Sequence, residues 1–132
     1  MRPDILKARK SLDAAVAKLK EARALLKDNH NDAALLYAYS SMFNVGRAIL
    51  YKDGIQEKSH YCLARYLDQK YAKKGKINPE TITLLDTFRE ERHAIIYGFE
   101  EFETRKEEAE EAIMAAEKFI QKVKELVARQ MR

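Results

Sequence analysis

Apolar residues return along this chain every three or four positions, the spacing that lines one side of an α-helix. The first such stretch runs from about Pro3 to Lys27, with Ile5, Leu12, Val16, Leu19, Leu25 and Leu26 on the apolar side and Lys, Arg and Glu opposite. Pro3 suits a first helical turn. A polar turn from Asp28 to Asp32 follows, and Asn31 or Asp32 is placed to cap the next helix. That second helix, about Ala33 to Lys52, is apolar nearly all round and ends at Gly54, so it is predicted to be the central one. Its one polar stripe is Ser40, Asn44, Arg47 and Tyr51. A short third helix is predicted from Ser59 to Lys73, with Ser59 as cap and Gly75 just past the end. The fourth opens on Asn78-Pro79-Glu80, which supplies cap, first-turn proline and early acid in order, and runs to about Gly98. The fifth holds Ala109, Ala112, Ile113, Ala116, Phe119, Ile120, Val123, Leu126 and Val127 on one face. Tyr37, Tyr39 and Phe43 would suit a strand locally, but they sit inside a helical period.

Long helices joined by short turns imply antiparallel neighbours. The pattern therefore predicts an all-α fold, an up-and-down bundle of four to five antiparallel helices, formed as one domain over residues 1–132. With 46% hydrophobic and 35% charged residues, the chain reads as globular rather than disordered. The 25 basic and 21 acidic residues leave a net charge of +4, which permits an anionic partner. A binder of nucleic acid by charge alone would show a denser basic stripe. Cys62 is the single cysteine, so it forms no intramolecular disulfide and is expected as a small packing residue in a reducing compartment. No apolar h-region follows Arg2 and Pro3, and no run approaches the roughly 18 apolar residues of a membrane span. The expectation is a cytoplasmic protein without a membrane partner.

The fourth helix carries the feature that calls for chemistry. On a wheel of about 100° per residue, Leu84, Leu85, Phe88, Ile95, Ile96 and Phe99 share one sector, and Arg92 lies near its centre. Arg89 and His93 lie along the edge of that sector, with Tyr97 further round. Burying a charge costs several kcal/mol, so Arg92 needs a partner. Three readings are open: an internal ion pair or snorkelling side chain, a homodimer interface, and an anion or phosphate site. The second and third are compatible. The polar stripe of the second helix either satisfies itself across the bundle or, in the third reading, places Asn44 and Arg47 opposite Arg92 to complete a polar cleft.

Other chemistry is sparse. His30, His60 and Cys62 have no metal-ligand spacing, so neither metal nor cofactor is expected. There is no glycine-rich phosphate loop, G-x-S-x-G or H-E-x-x-H. The acid-rich run from Phe99 to Glu111 reads as a solvated face, and Glu100, Glu101 and Glu103 form no catalytic pair. Arg65, Lys70, Lys73, Lys74 and Lys76 make the densest basic patch, which also suits the negative end of a helix dipole.

Four segments, in order, resemble the HEPN domain family, and most closely its small stand-alone prokaryotic branch. They are Asp32-Ala33-Ala34 with the run Ala38 to Leu50, the turn Gly54 to His60, the stretch Arg92-His93-Ala94-Ile95-Ile96-Tyr97-Gly98, and the closing helix through Ala116 and Phe119. The resemblance implies a helical bundle that pairs as a two-fold homodimer and binds a nucleotide or RNA. In many relatives an arginine and a histidine, spaced R-x4-6-H, meet in a cleft between subunits and cleave RNA without metal, often as a toxin paired with a nucleotidyltransferase-like antitoxin.

Arg92 maps to the motif arginine, but five residues on stands Tyr97 rather than histidine. Arg89 to His93 is one residue too short for the motif. A phenol with a pKa near 10 is a poor base at pH 7. The expectation is a nucleotide- or RNA-binding module around Arg92, Arg89, Asn44, Arg47 and Ser40, acting with a nucleotidyltransferase-like partner and leaning away from catalysis. The alternatives are an endoribonuclease using Arg92 with Tyr97 or His93, and a purely structural dimer or complex subunit.

Overall fold

The computed structural model describes residues 2–98 and 103–130. Among them are five α-helices and no strand: α1 Ile5–Lys27, α2 Asn31–Asp53, α3 His60–Leu67, α4 Pro79–Tyr97 and α5 Lys106–Gln130. The all-α bundle predicted from the periodicity is the fold observed. A π-helical turn, Asp68–Ala72, continues α3.

α1 and α2 lie antiparallel and very close. Ala8, Leu12, Ala15, Leu19 and Ala22, stepping by four and three, form the buried seam of α1. Interaxial distance follows side-chain size at the contact. Alanine lets the backbones approach until serine hydroxyls reach carbonyls across the seam. Ser41 Oγ donates to Ala15 O and Ser11 Oγ donates to Asn44 O, both at 2.7 Å. This corrects the predicted apolar face: Val16 is 41% exposed, and small residues fill the place expected for larger ones.

α2 is the central helix, buried along most of its length and packed on α1, α3, α4 and α5. It runs in the same direction as α5. Asn31 Nδ2 donates to Thr104 O at one end, and Gln130 Nε2 donates to Lys52 O at the other. The predicted apolar face of α5 is buried, with Leu126 packed at its margin.

Capping chemistry sets most boundaries. Asn78 Oδ1 accepts from Glu80 N–H, and Ser59 Oγ accepts from Cys62 N–H. Gly54, with φ at +71°, closes α2 in the left-handed conformation that glycine adopts without penalty. Two expectations are corrected. Asp4, not Pro3, governs the start of α1, because its carboxylate accepts from Lys7 N–H. Neither Asn31 nor Asp32 caps α2. Asn31 is taken by Thr104 O, and the Asp32 carboxylate accepts from Thr104 N–H, tying the start of α5 to α2.

The π-turn has a clear consequence. Tyr66 and Tyr71 would lie about 140° apart on a regular helix. The wider turn, closed by Lys73 N–H donating to Asp68 O, brings both hydroxyls onto Asp53 Oδ2, at 2.7 and 2.6 Å. Lys52 Nζ donates to Asp53 Oδ1 at 2.7 Å. Burial alone would raise the Asp53 pKa; the donors Lys52, Tyr71 and Tyr66 outweigh it and hold the carboxyl below its ordinary range. Burial, then the bond to Asp53, pushes both phenols up.

Candidate functional site

α3 can press against α2 because position 46 has no side chain. A Cβ on Gly46 would sit 2.8 Å from Leu63 Cδ2. The close approach carries His60, first residue of α3, onto the aromatic pair of α2. Its ring centroid lies 3.7 Å from that of Phe43, and its Nδ1 is 2.6 Å from the hydroxyl of buried Tyr39.

Two arginines border this aromatic layer. The Arg92 guanidinium lies 5.7 Å from the Tyr39 ring centroid, and that of Arg47 lies 4.5 Å from Phe43. Both are within cation–π range. Burial pushes the Tyr39 phenol up to about 12, against the opposing influence of Arg92 and Arg89, so it keeps its proton at neutral pH. Burial, then the charge of Arg92, lowers the His60 pKa; Arg47 and Arg89 add to this while Glu57 opposes it. His60 is therefore neutral at pH 7. When Tyr39 donates to Nδ1, the imidazole proton resides on Nε2, which is then a donor for an anion.

Ser59, His60 and Tyr61 face Arg89, Arg92 and His93 across an open groove of about 530 Å³, with Glu90 on its border. The ion pairs nearby are Arg47–Glu57, Arg65–Asp86 and Arg89–Asp86. Among the described residues, no carboxylate lies within ion-pair distance of Arg92. Arg89 reaches Asp86 only at 3.9 Å, and Arg89 Nε, Arg65 Nε and Asp86 Oδ1 are buried without a hydrogen-bond partner there. A groove with two guanidiniums, two imidazoles and an unspent guanidinium donor on Arg89 can hold an anion of phosphate type.

The predicted site residues divide. Arg92, Arg89 and His93 line the groove together, so His93 shares the cleft with Arg92. Tyr97 is 61% exposed and stands beside His93, at 4.9 Å between ring centroids, without lining the groove. Arg47 borders the aromatic layer but is engaged by Glu57 at 2.7 Å. Ser40 and Asn44 do not line the groove. Ser40 accepts from Lys18 Nζ at 2.8 Å, while the Asn44 backbone carbonyl accepts from Ser11 and its side-chain Nδ2 is buried without a hydrogen-bond partner among the described residues. The apolar sector of α4 is also narrower than the wheel predicted. Ile82, Leu85 and Phe88 are buried and Leu84 and Ile95 pack at the margin of the core, whereas Ile96 is 44% exposed. Phe99, Glu100 and Glu101 lie outside the described residues.

His60, Tyr61 and Glu90 line the groove without having been singled out by spacing, and buried Tyr39 stands behind His60. The only local signal was the position of His60 directly after a serine cap. Cys62, expected as a packing residue, is exposed and free. The basic patch is dispersed: Arg65 is held by Asp86, and Lys76 lies over the Tyr71 ring at 5.7 Å. Among the described residues no group of three His, Cys, Asp or Glu is placed to hold a metal ion, and no helix is long and apolar enough to cross a membrane.

No curated protein matches the chain. The model of the HEPN domain family matches residues 8–126, and the chain belongs to that family, a nucleotide- and RNA-related group of helical modules.

Proposed function

Proceeding from that membership, we propose that this HEPN bundle binds a nucleotide or RNA in the groove between the start of α3 and the second half of α4. Arg92 and Arg89 take the phosphate, and His60, oriented by Tyr39, adds a hydrogen bond. The observation that carries the reading is the convergence of Arg92, Arg89 and His60 on one open groove, with no carboxylate among the described residues pairing with Arg92. The exposed end of α4, with Ile96 and Tyr97, is the surface through which the module forms a homodimer. The dimer acts with a nucleotidyltransferase-like partner in a toxin–antitoxin type of pair, as a binding module of cytoplasmic type.

Titration of a labelled single-stranded RNA and of AMP tests this. Arg92→Ala should weaken binding while leaving the unfolding free energy within about 1 kcal/mol of wild type, since no carboxylate among the described residues pairs with the half-buried guanidinium. If wild type binds neither ligand and Arg92→Ala unfolds, the arginine is a structural prop.

A second reading, a metal-independent endoribonuclease, gains support from one feature. The imidazole missing at position 97 has a counterpart in His60, which shares the groove with Arg92. In the tautomer where Nδ1–H donates to Tyr39, Nε2 is free to accept a proton. Cleavage of RNA by wild type, lost in His60→Ala and retained in Tyr97→Phe, would favour it. No cleavage, and no growth arrest on expression, would sink it.

A further inference from the structure

Tyr61 is 57% exposed, yet its ring is not left to wander. The Arg65 guanidinium lies 5.3 Å from its centroid, and Arg65 is itself pinned to Asp86 of α4. Asp86 also lies 3.9 Å from Arg89, which lines the groove. One carboxylate thus stands beside both the support of an exposed aromatic ring and a groove arginine. Tyr61 lines the same groove as Arg89 and Arg92. An aromatic face left in water costs hydration free energy and serves no core here. Phosphate alone makes no use of such a ring, whereas a nucleobase stacks on it.

We infer that Tyr61 is the base-stacking shelf of the groove, and that its ligand is a nucleotide unit with an unpaired base, its phosphate on Arg92 and Arg89. This rests on the phosphate reading above and adds the base. The required ligand is single-stranded, because a base inside a duplex has no free face to offer. A mononucleotide and a single strand share this chemistry, and the test separates them.

The probes are a labelled single-stranded RNA, the same RNA annealed to its complement, an abasic strand of the same length, and AMP, read by anisotropy and competition at fixed salt. Base stacking on an aromatic side chain corresponds to roughly 5- to 150-fold in affinity. Tyr61→Ala should weaken single-stranded RNA by a factor in that range, and Tyr61→Phe should stay within about two-fold of wild type because the ring is kept. The abasic strand should bind equally to wild type and Tyr61→Ala. AMP competing with the same Tyr61 dependence identifies a mononucleotide as sufficient, and AMP failing to compete identifies the strand; both support the shelf. If Arg92→Ala loses binding while Tyr61→Ala does not, the shelf is wrong and the phosphate reading stands. If Tyr61→Ala abolishes self-association measured by light scattering, Tyr61 is an interface residue and the shelf is overturned. If wild type binds none of the probes, both readings fall.

Discussion

The two ends of the α3 segment each hold a polar cluster built on tyrosines, and they treat hydrogen-bonding capacity in opposite ways. Around Asp53 the carboxylate accepts from Tyr66, Tyr71 and Lys52, and the donors are consumed within the chain. Around Arg92 the guanidinium rests on an aromatic face, Arg89 Nε lacks a hydrogen-bond partner among the described residues, and His60 has one ring nitrogen engaged by Tyr39. Buried polar groups are normally satisfied. A cluster that satisfies itself fastens one element to another, and one with capacity to spare, open to a groove, suits a ligand.

The sharpest way to break this comparison is to remove Asp53. Asp53→Ala leaves the Lys52 ammonium and two phenols without their acceptor, and should cost about 3 kcal/mol in denaturant unfolding. RNA affinity of the folded fraction should not change. The Asp53 carboxyl is held below its unfolded value, so its contribution is present above about pH 4 and is lost as pH falls through the lower folded value. The variant should accordingly lose the acid limb of the stability curve.

Arg92→Ala should do the reverse, weakening RNA binding about 10- to 100-fold, as expected for a charge-assisted contact, with little change in stability. Tyr39→Phe lies between. It should cost about 1 kcal/mol of stability by freeing His60 Nδ1. The lowered His60 pKa gives it a pH window of its own. Stability from the neutral imidazole is present above about 6.5 and is lost as pH falls through the folded value below that. His60→Gln should therefore flatten the stability curve just below about pH 6.5, where Asp53→Ala does not. The smallest effect belongs to Ser59→Ala, which removes the α3 cap at a cost of about 0.5–1 kcal/mol, seen as faster amide exchange in the first turn that carries His60.

The helices were legible because their signals are local. Asn78-Pro79-Glu80, Ser59 and Gly54 each act within a few residues, and the structure uses them as read. The alanine seam of α1 was less legible, since periodicity weighs Val16 above Ala15 while close packing against Ser41 needs the smaller residue. Arg92 was visible as a charge misplaced on an apolar period, with Arg89 at the edge of the same sector. His60 was not visible as a groove residue, because its partner Tyr39 is 21 residues away and the approach depends on Gly46. The π-turn that brings Tyr71 to Asp53 carries no pattern in a single sequence that distinguishes it from α-helix.

The central claim is that Arg92 is held for a ligand rather than for the fold. Calorimetric titration of single-stranded RNA into wild type and Arg92→Ala, with the unfolding midpoint of each taken in the same buffer, tests it most directly. The account predicts saturable binding by wild type, at least about ten-fold weaker binding by the variant, and matching midpoints. Equal affinities, or a variant that loses stability in place of affinity, would contradict it.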